Sequence, residues 1–279
     1  MKIIKDKSFD MERALYESDG VVLEGCSFCG EADGESALKE SRDVKASNCF
    51  FDLRYPFWHD TNAEIVNCEM TEKCRAPLWY SKNVDIYETK LHGVKALREC
   101  EDVNIIKSSI ISSEFGWSCK NVKIKDSYAK GEYFMMNTCG VHLENVKMEG
   151  KYSFQYIKDA VIENCELDTK DAFWHAKNVT VKNCVVKGEY LGWYSESVTF
   201  ESCIITGTQP LCYCKDLKLI GCEMHQCDLA FEKSEVMAEI TTPVISIKNV
   251  ANGKITVPCV DEIIKDKDTY KGIIEETDK

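Results

Sequence analysis

Short apolar segments with period-two alternation recur along the chain, each closed by a polar corner. Aligning them on Val84, within SKNVDIYET, gives equivalent positions at Val21, Val44, Ala63, Val84, Val103, Val122, Val141, Ala160, Val179, Val198, Leu217 and Val236. The steps are 23, 19 and 21 residues and then eight of 19, the mark of a solenoid of about twelve turns. Two residues past the anchor stand Ile65, Ile86 and Ile105, and seven past it Phe28, Phe51 and Met70. Alternation at this spacing predicts strands and excludes helical repeats. Just before the anchor come Asp43, Asn62, Asn83, Asp102 and Asn121, residues that tolerate a left-handed corner. Short strands and sharp corners stacked in identical columns predict an all-β fold, a parallel β-helix, right-handed by the usual crossover rule. At about 4.8 Å between strands, eleven steps span roughly 53 Å.

The same pattern suggests boundaries. Residues 1–20 read as an N-terminal cap and first turn, and residues 14–243 as the β-helix repeat domain. Residues 244–279 read as a C-terminal cap and charged tail, with a hairpin at Asn252-Gly253 and then a short helix or frayed end.

All five tryptophans, Trp58, Trp79, Trp117, Trp174 and Trp193, lie five residues before their anchors. Lys39, Arg98 and Gln155 occupy that column in other turns, which places it at the surface, because a buried column does not take unpartnered cations. The preceding residue, such as Phe57, Leu78 or Phe173, then faces inward. The following column holds His59, Tyr80, Tyr156, His175, Tyr194 and Tyr213, and Arg54 and Arg75 stand near the corner. A long exposed aromatic strip of this kind points to binding. Its candidate ligand-binding residues are Arg54, Trp58, His59, Arg75, Trp79, Tyr80, Trp117, Trp174, His175, Trp193 and Tyr194, with the cluster around Arg54 and Arg75 the best local site. Stacked aromatics and pairs such as Glu35 with Arg54 also stabilise neighbouring strands without any ligand.

Charge and cysteine content narrow the partners. A net charge of -12, from 35 basic and 47 acidic residues, opposes nucleic-acid phosphates and anionic membranes. No run of eighteen apolar residues and no leader-like start occurs, so the expectation is a soluble, cytoplasmic protein. Of the sixteen cysteines, Cys26, Cys49, Cys68, Cys165, Cys184, Cys203 and Cys222 share one small column, and Cys100, Cys119 and Cys214 another. They read as reduced thiols packing the interior, not as disulfides, metal ligands or redox groups. No cofactor is expected.

The motifs ERAL at 12–15, GESALKES at 34–41, YPFWH at 55–59, RAPLWY at 75–80, GEYFMMN at 131–137, KDAFWH at 170–175, GEYLGW at 188–193 and LAFEKSEV at 229–236 run in order over roughly the first 255 residues. Together they resemble a bacterial family, domain of unknown function 3737. That resemblance implies a single-stranded right-handed β-helix of the pectin-lyase-like kind, and it brings no activity or catalytic residues with it.

Three function classes follow. The favoured one is a module binding an extended ligand, a carbohydrate above all, along the aromatic face. A glycoside hydrolase or polysaccharide lyase is the enzymatic alternative, but nothing in the spacing selects a carboxylate pair from Glu35, Glu40, Glu99 and Glu114. A protein-binding or structural module is the third, since Trp, Tyr and Arg also make interface hot spots.

Overall fold

A computed structural model describes residues 1–30 and 35–278. Gly34, which opens the GESALKES motif, and Lys279, the end of the expected tail, lie outside the described residues. The chain falls into two compact units, Met1–His142 and Leu143–Lys279, each built of parallel strands stacked coil on coil. Among the described residues no helix is long and apolar enough to cross a membrane.

In the first unit each coil contributes a six-residue strand such as Arg42–Ser47, Thr61–Val66 or Lys82–Tyr87. Val21, Val44, Ala63, Val84, Val103 and Val122 stand in one register, as the nineteen-residue alignment predicts. A shorter strand follows in each coil, aligning Phe28, Phe51, Met70 and Leu91. The stack begins before the first anchor, because Lys2–Lys5 pairs in parallel with Asp19–Glu24.

The second unit repeats the plan. Ala160, Val179 and Val198 align, as do Leu217, Val236 and Gly253. The hairpin expected at Asn252-Gly253 does not form. Asn252 instead opens a strand that runs parallel to Glu235–Ile240 on one side and Ile273–Glu276 on the other. Val244–Lys248 likewise pairs in parallel with Val260–Ile264. The apolar alternation of 244–257 serves another coil, and the expected helix or frayed end is replaced by strands.

Inside the coils, rings and thiols stack in rows. Phe9, Phe28 and Phe51 follow one another at 4.9 Å with nearly parallel planes, and Phe154 lies 4.9 Å from Phe173. All sixteen cysteines are free and thirteen are buried. Cys26, Cys68, Cys184, Cys203 and Cys222 of the main cysteine column donate to a carbonyl of the preceding coil, Cys184 to Ile162 at 3.5 Å and Cys203 to Val181 at 3.3 Å. Burial pushes the Cys74, Cys212 and Cys227 thiols up to about 12, so they stay protonated and behave as small apolar groups.

The Asn and Asp corners are left-handed as expected, with φ of 53° at Asp43 and 58° at Asn62. Their side chains reach along the stack to the next coil: Asn62 donates to Asp43 and Asn83 to Asn62, both at 3.0 Å. At another corner the backbones approach so closely that only glycine fits. A Cβ on Gly207 (φ 144°) would lie 2.1 Å from the Gly188 carbonyl oxygen.

Candidate functional site

The segment between the short strand and the next long strand carries the aromatic columns. Its residues alternate between right- and left-handed backbone, with positive φ at Tyr152, Phe154 and Tyr156 and again at Asp171, Phe173 and His175. Phe154 and Phe173 enter the core, fully buried, while Tyr156 and His175, two residues on, emerge.

The tryptophans between them are half-buried, not fully at the surface. Four of them are pinned by their indole N–H. Trp79 donates to the Lys95 carbonyl at 2.6 Å, Trp117 to Tyr133 at 2.7 Å, Trp174 to Tyr190 at 2.7 Å and Trp193 to Gln209 at 2.8 Å. Gln155 makes the same bond, to Asp171 at 3.1 Å, with its amide. Cations in the column do not mark it as solvent-facing, because the rings themselves accommodate them. The Arg98 guanidinium lies 5.0 Å from the Trp79 ring and 5.6 Å from Trp117, and Lys39 lies 5.9 Å from Trp58. Stacked this way, a cation is stabilised by the negative ring faces.

In the first unit the candidates gather over two coils. Trp58 and Trp79 are 5.2 Å apart and tilted by 37°, and beside them His59 and Tyr80 are 4.8 Å apart. Arg54 is held by Glu35 at 3.1 Å. Arg75 is exposed and has no ion-pair partner among the described residues. Beyond Tyr80 the outer column continues with Glu99 and Ser118, so the ring row stops there, and Arg98 separates Trp79 from Trp117.

The second unit holds the longer row. Tyr156, His175, Tyr194 and Tyr213 follow one another at 4.9, 5.2 and 4.9 Å, with planes within 13° of parallel. Behind them Trp174 and Trp193 stack at 5.4 Å and 4°. Tyr156 is 43% and Tyr194 47% exposed. Because each ring covers its neighbour's face, what reaches solvent is the edges and polar tips. The Tyr156 and Tyr194 hydroxyls and the His175 ring nitrogens have no hydrogen-bond partner among the described residues. Burial, with the Glu232 charge second, raises the Tyr213 phenol above its ordinary range, so it remains a donor. A candidate set drawn from the tryptophans and their neighbours omits Tyr156 and Tyr213, whose coils carry Gln155 and Cys212 in the tryptophan column. Their position in the outer column is the signal that finds them.

Left-handed backbone is unfavourable for bulky side chains, at roughly 1–2 kcal/mol per residue, yet Tyr156, His175, Tyr194 and Tyr213 all adopt it, with φ between 54° and 61°. Asn137 fills the same corner position with a residue suited to it, at φ 56°. Corner geometry therefore does not call for aromatics; ring stacking or a ligand does.

The carboxylates considered for hydrolysis are engaged in other contacts. Glu114 pairs with Lys95 at 3.0 Å, Glu99 with Arg98 at 3.4 Å, and Glu40 accepts from the Tyr16 hydroxyl at 3.1 Å. Among the described residues no group of three His, Cys, Asp or Glu side chains is placed to hold a metal ion.

Comparison with curated proteins returned no match. Similar solved structures include a surface adhesin of Streptococcus pneumoniae, at 9% identity over 95% of this chain and 85% of that one, with a TM-score of 0.43. The A-module of a mannuronan C-5 epimerase from Azotobacter vinelandii matches at 10% identity over 97% and 86%, with a TM-score of 0.37. The tailspike protein of E. coli bacteriophage HK620, solved with a pentasaccharide, matches at 9% identity over 98% and 70%, with a TM-score of 0.39. Residues 2–274 match the model of the family described as Protein of unknown function (DUF3737), and the chain belongs to that family.

Proposed function

We propose that the protein is a binding module for an extended, hydroxyl-rich chain, a glycan, which lies across the ring tips of Tyr156, His175, Tyr194 and Tyr213. The observation that carries this reading is the evenly spaced row, exposed at Tyr156, His175 and Tyr194 and half-buried at Tyr213, in which phenol and imidazole groups recur once per coil. Such a row offers a hydrogen-bonding group at each step to a polymer that repeats its own hydroxyls. Trp174 and Trp193 support it from behind. In the first unit His59 and Tyr80, over Trp58 and Trp79 and near Arg54 and the exposed Arg75, form a shorter patch of similar chemistry. Spread over successive coils and not concentrated in one cleft, these groups suit binding better than turnover. We place the protein in a reducing compartment, the cytoplasm, on its sixteen free thiols.

A panel of neutral and acidic oligosaccharides titrated against the native chain, followed by tryptophan fluorescence, tests the reading. Saturable binding that Tyr156→Ala and Tyr194→Ala together abolish is expected. Binding to no member of the panel, or binding that survives both substitutions, would refute it.

A further inference from the structure

Among the described residues, Lys2–Lys5 in the first unit and Ile273–Glu276 in the second each stand at the end of a column of parallel strands. Among the described residues the first pairs only with Asp19–Glu24 and the second only with Asn252–Val257. Each therefore presents one row of backbone N–H and C=O groups, the kind of edge to which another strand adds. Ile3 on the first edge is 63% exposed and Ile273 on the second 57%, apolar exposure that an isolated edge ordinarily avoids. The two edges differ in charge. Lys2, Lys5 and Lys7 outnumber Asp6 and Asp10 at the first, whereas Glu275, Glu276 and Asp278 outnumber Lys271 at the second.

We propose that Lys2–Lys5 of one molecule adds in parallel to Ile273–Glu276 of a second copy, so that the chain associates head to tail. The register follows from the columns. Ile4 aligns with Leu23, and Ile274 aligns with Ile255, which stands in the same inward column. Continuing that column across the junction sets Ile273 against Ile3, Ile274 against Ile4 and Glu275 against Lys5. The junction thus repeats contacts the chain makes between its own coils, where Lys5 meets Glu24 at 2.5 Å and Lys254 meets Glu275 at 2.8 Å. Glu276 falls opposite Asp6, with Lys7 next to it; this is the one adverse pair. A contact between two different surfaces of the same chain is heterologous, and unless it closes into a ring it leaves free edges for further copies.

Sedimentation velocity on the 279-residue chain, from micromolar to sub-millimolar concentration, reads the outcome. The wild type is expected to gain average mass with concentration. Glu275→Lys and Lys5→Glu are each expected to stay monomeric, because each sets like charges against each other at the junction. Their equimolar mixture is expected to associate again, since every junction between the two variants joins opposite charges. Ile273→Lys, which leaves the first coil intact, is expected to remain monomeric. A wild type that is monomeric throughout overturns the proposal, as does association that charge reversal leaves unchanged. Circular dichroism confirms that each variant is folded.

Discussion

Replacing Asp60 by Ser changes a single buried carboxyl whose surroundings fix what should happen. Asp60 is fully buried in a column otherwise filled here by Ser41 and Ser81. Its Oδ1 accepts the Ser41 backbone N–H at 3.0 Å, while Oδ2 has no hydrogen-bond partner among the described residues. Ser81 shows what the column prefers: its hydroxyl accepts from the Asp60 N–H at 3.1 Å and donates to the Phe57 carbonyl at 2.7 Å. Burial raises the Asp60 carboxyl well above the ordinary range, the Ser41 bond opposing only in part. Between the unfolded and folded values the native state binds more protons than the unfolded state. The contribution of this carboxyl to stability is therefore fully present below its unfolded value and is lost as pH rises through the folded one. Removing an unsatisfied buried oxygen relieves about 1–3 kcal/mol, and the smaller side chain gives back roughly 1 kcal/mol in packing. The net gain for Asp60→Ser at pH 8 is about 0–2 kcal/mol, or up to roughly 8 °C in Tm at about 2–4 °C per kcal/mol. Thermal unfolding of wild type and variant between pH 4 and pH 9 should show the Tm difference growing with pH, with wild type the steeper of the two. A variant that melts below wild type at pH 8, or a difference independent of pH, would show that the carboxyl is not held neutral in the column.

Further consequences follow from the same packing. Phe154→Ala empties one place in the phenylalanine row and should cost about 3–5 kcal/mol by denaturant titration; a loss below 1 kcal/mol would mean the row does not support the second unit. Trp193→Phe leaves the Gln209 carbonyl without its indole donor and should cost about 1–3 kcal/mol, whereas unchanged stability would make the tether dispensable. Of the sixteen thiols, only the half-buried Cys29, Cys139 and Cys259 should react rapidly with a thiol reagent in native buffer, and all sixteen in denaturant. Fast native labelling of Cys184 or Cys203, located by mass spectrometry, would contradict the thiol packing.

Much of the fold was legible because one column constrains every coil. Once Val84 is aligned with Val103 by nineteen residues, the strand register follows, and the structure reproduces it pair by pair. Inward positions such as Phe57 and Phe173 follow from the same alternation. Asn252-Gly253 misleads because a left-handed glycine, here at φ 103°, serves a β-helix corner as readily as a hairpin. Lys39 and Arg98 mislead about exposure because sequence shows a cation but not the ring faces it meets, Trp58 for Lys39 and both Trp79 and Trp117 for Arg98. For the same reason the outer row was partly hidden. Tyr156 and Tyr213 stand beside Gln155 and Cys212, so attention to tryptophan passes over them, although ring stacking makes them members of one set. That the rings cover one another's faces and leave only their tips to solvent depends on side-chain torsions, which composition does not encode.

The most direct test removes the tips and keeps the stack. Tyr156→Phe, Tyr194→Phe and Tyr213→Phe each delete one hydroxyl from a row whose spacing is set by the rings. If a glycan lies across those hydroxyls, isothermal titration with the tightest-binding oligosaccharide should show each variant weakened by roughly tenfold, about 1.4 kcal/mol, with Tm little changed. Three phenylalanine variants that bind as the wild type does would contradict the placement of the ligand on this row.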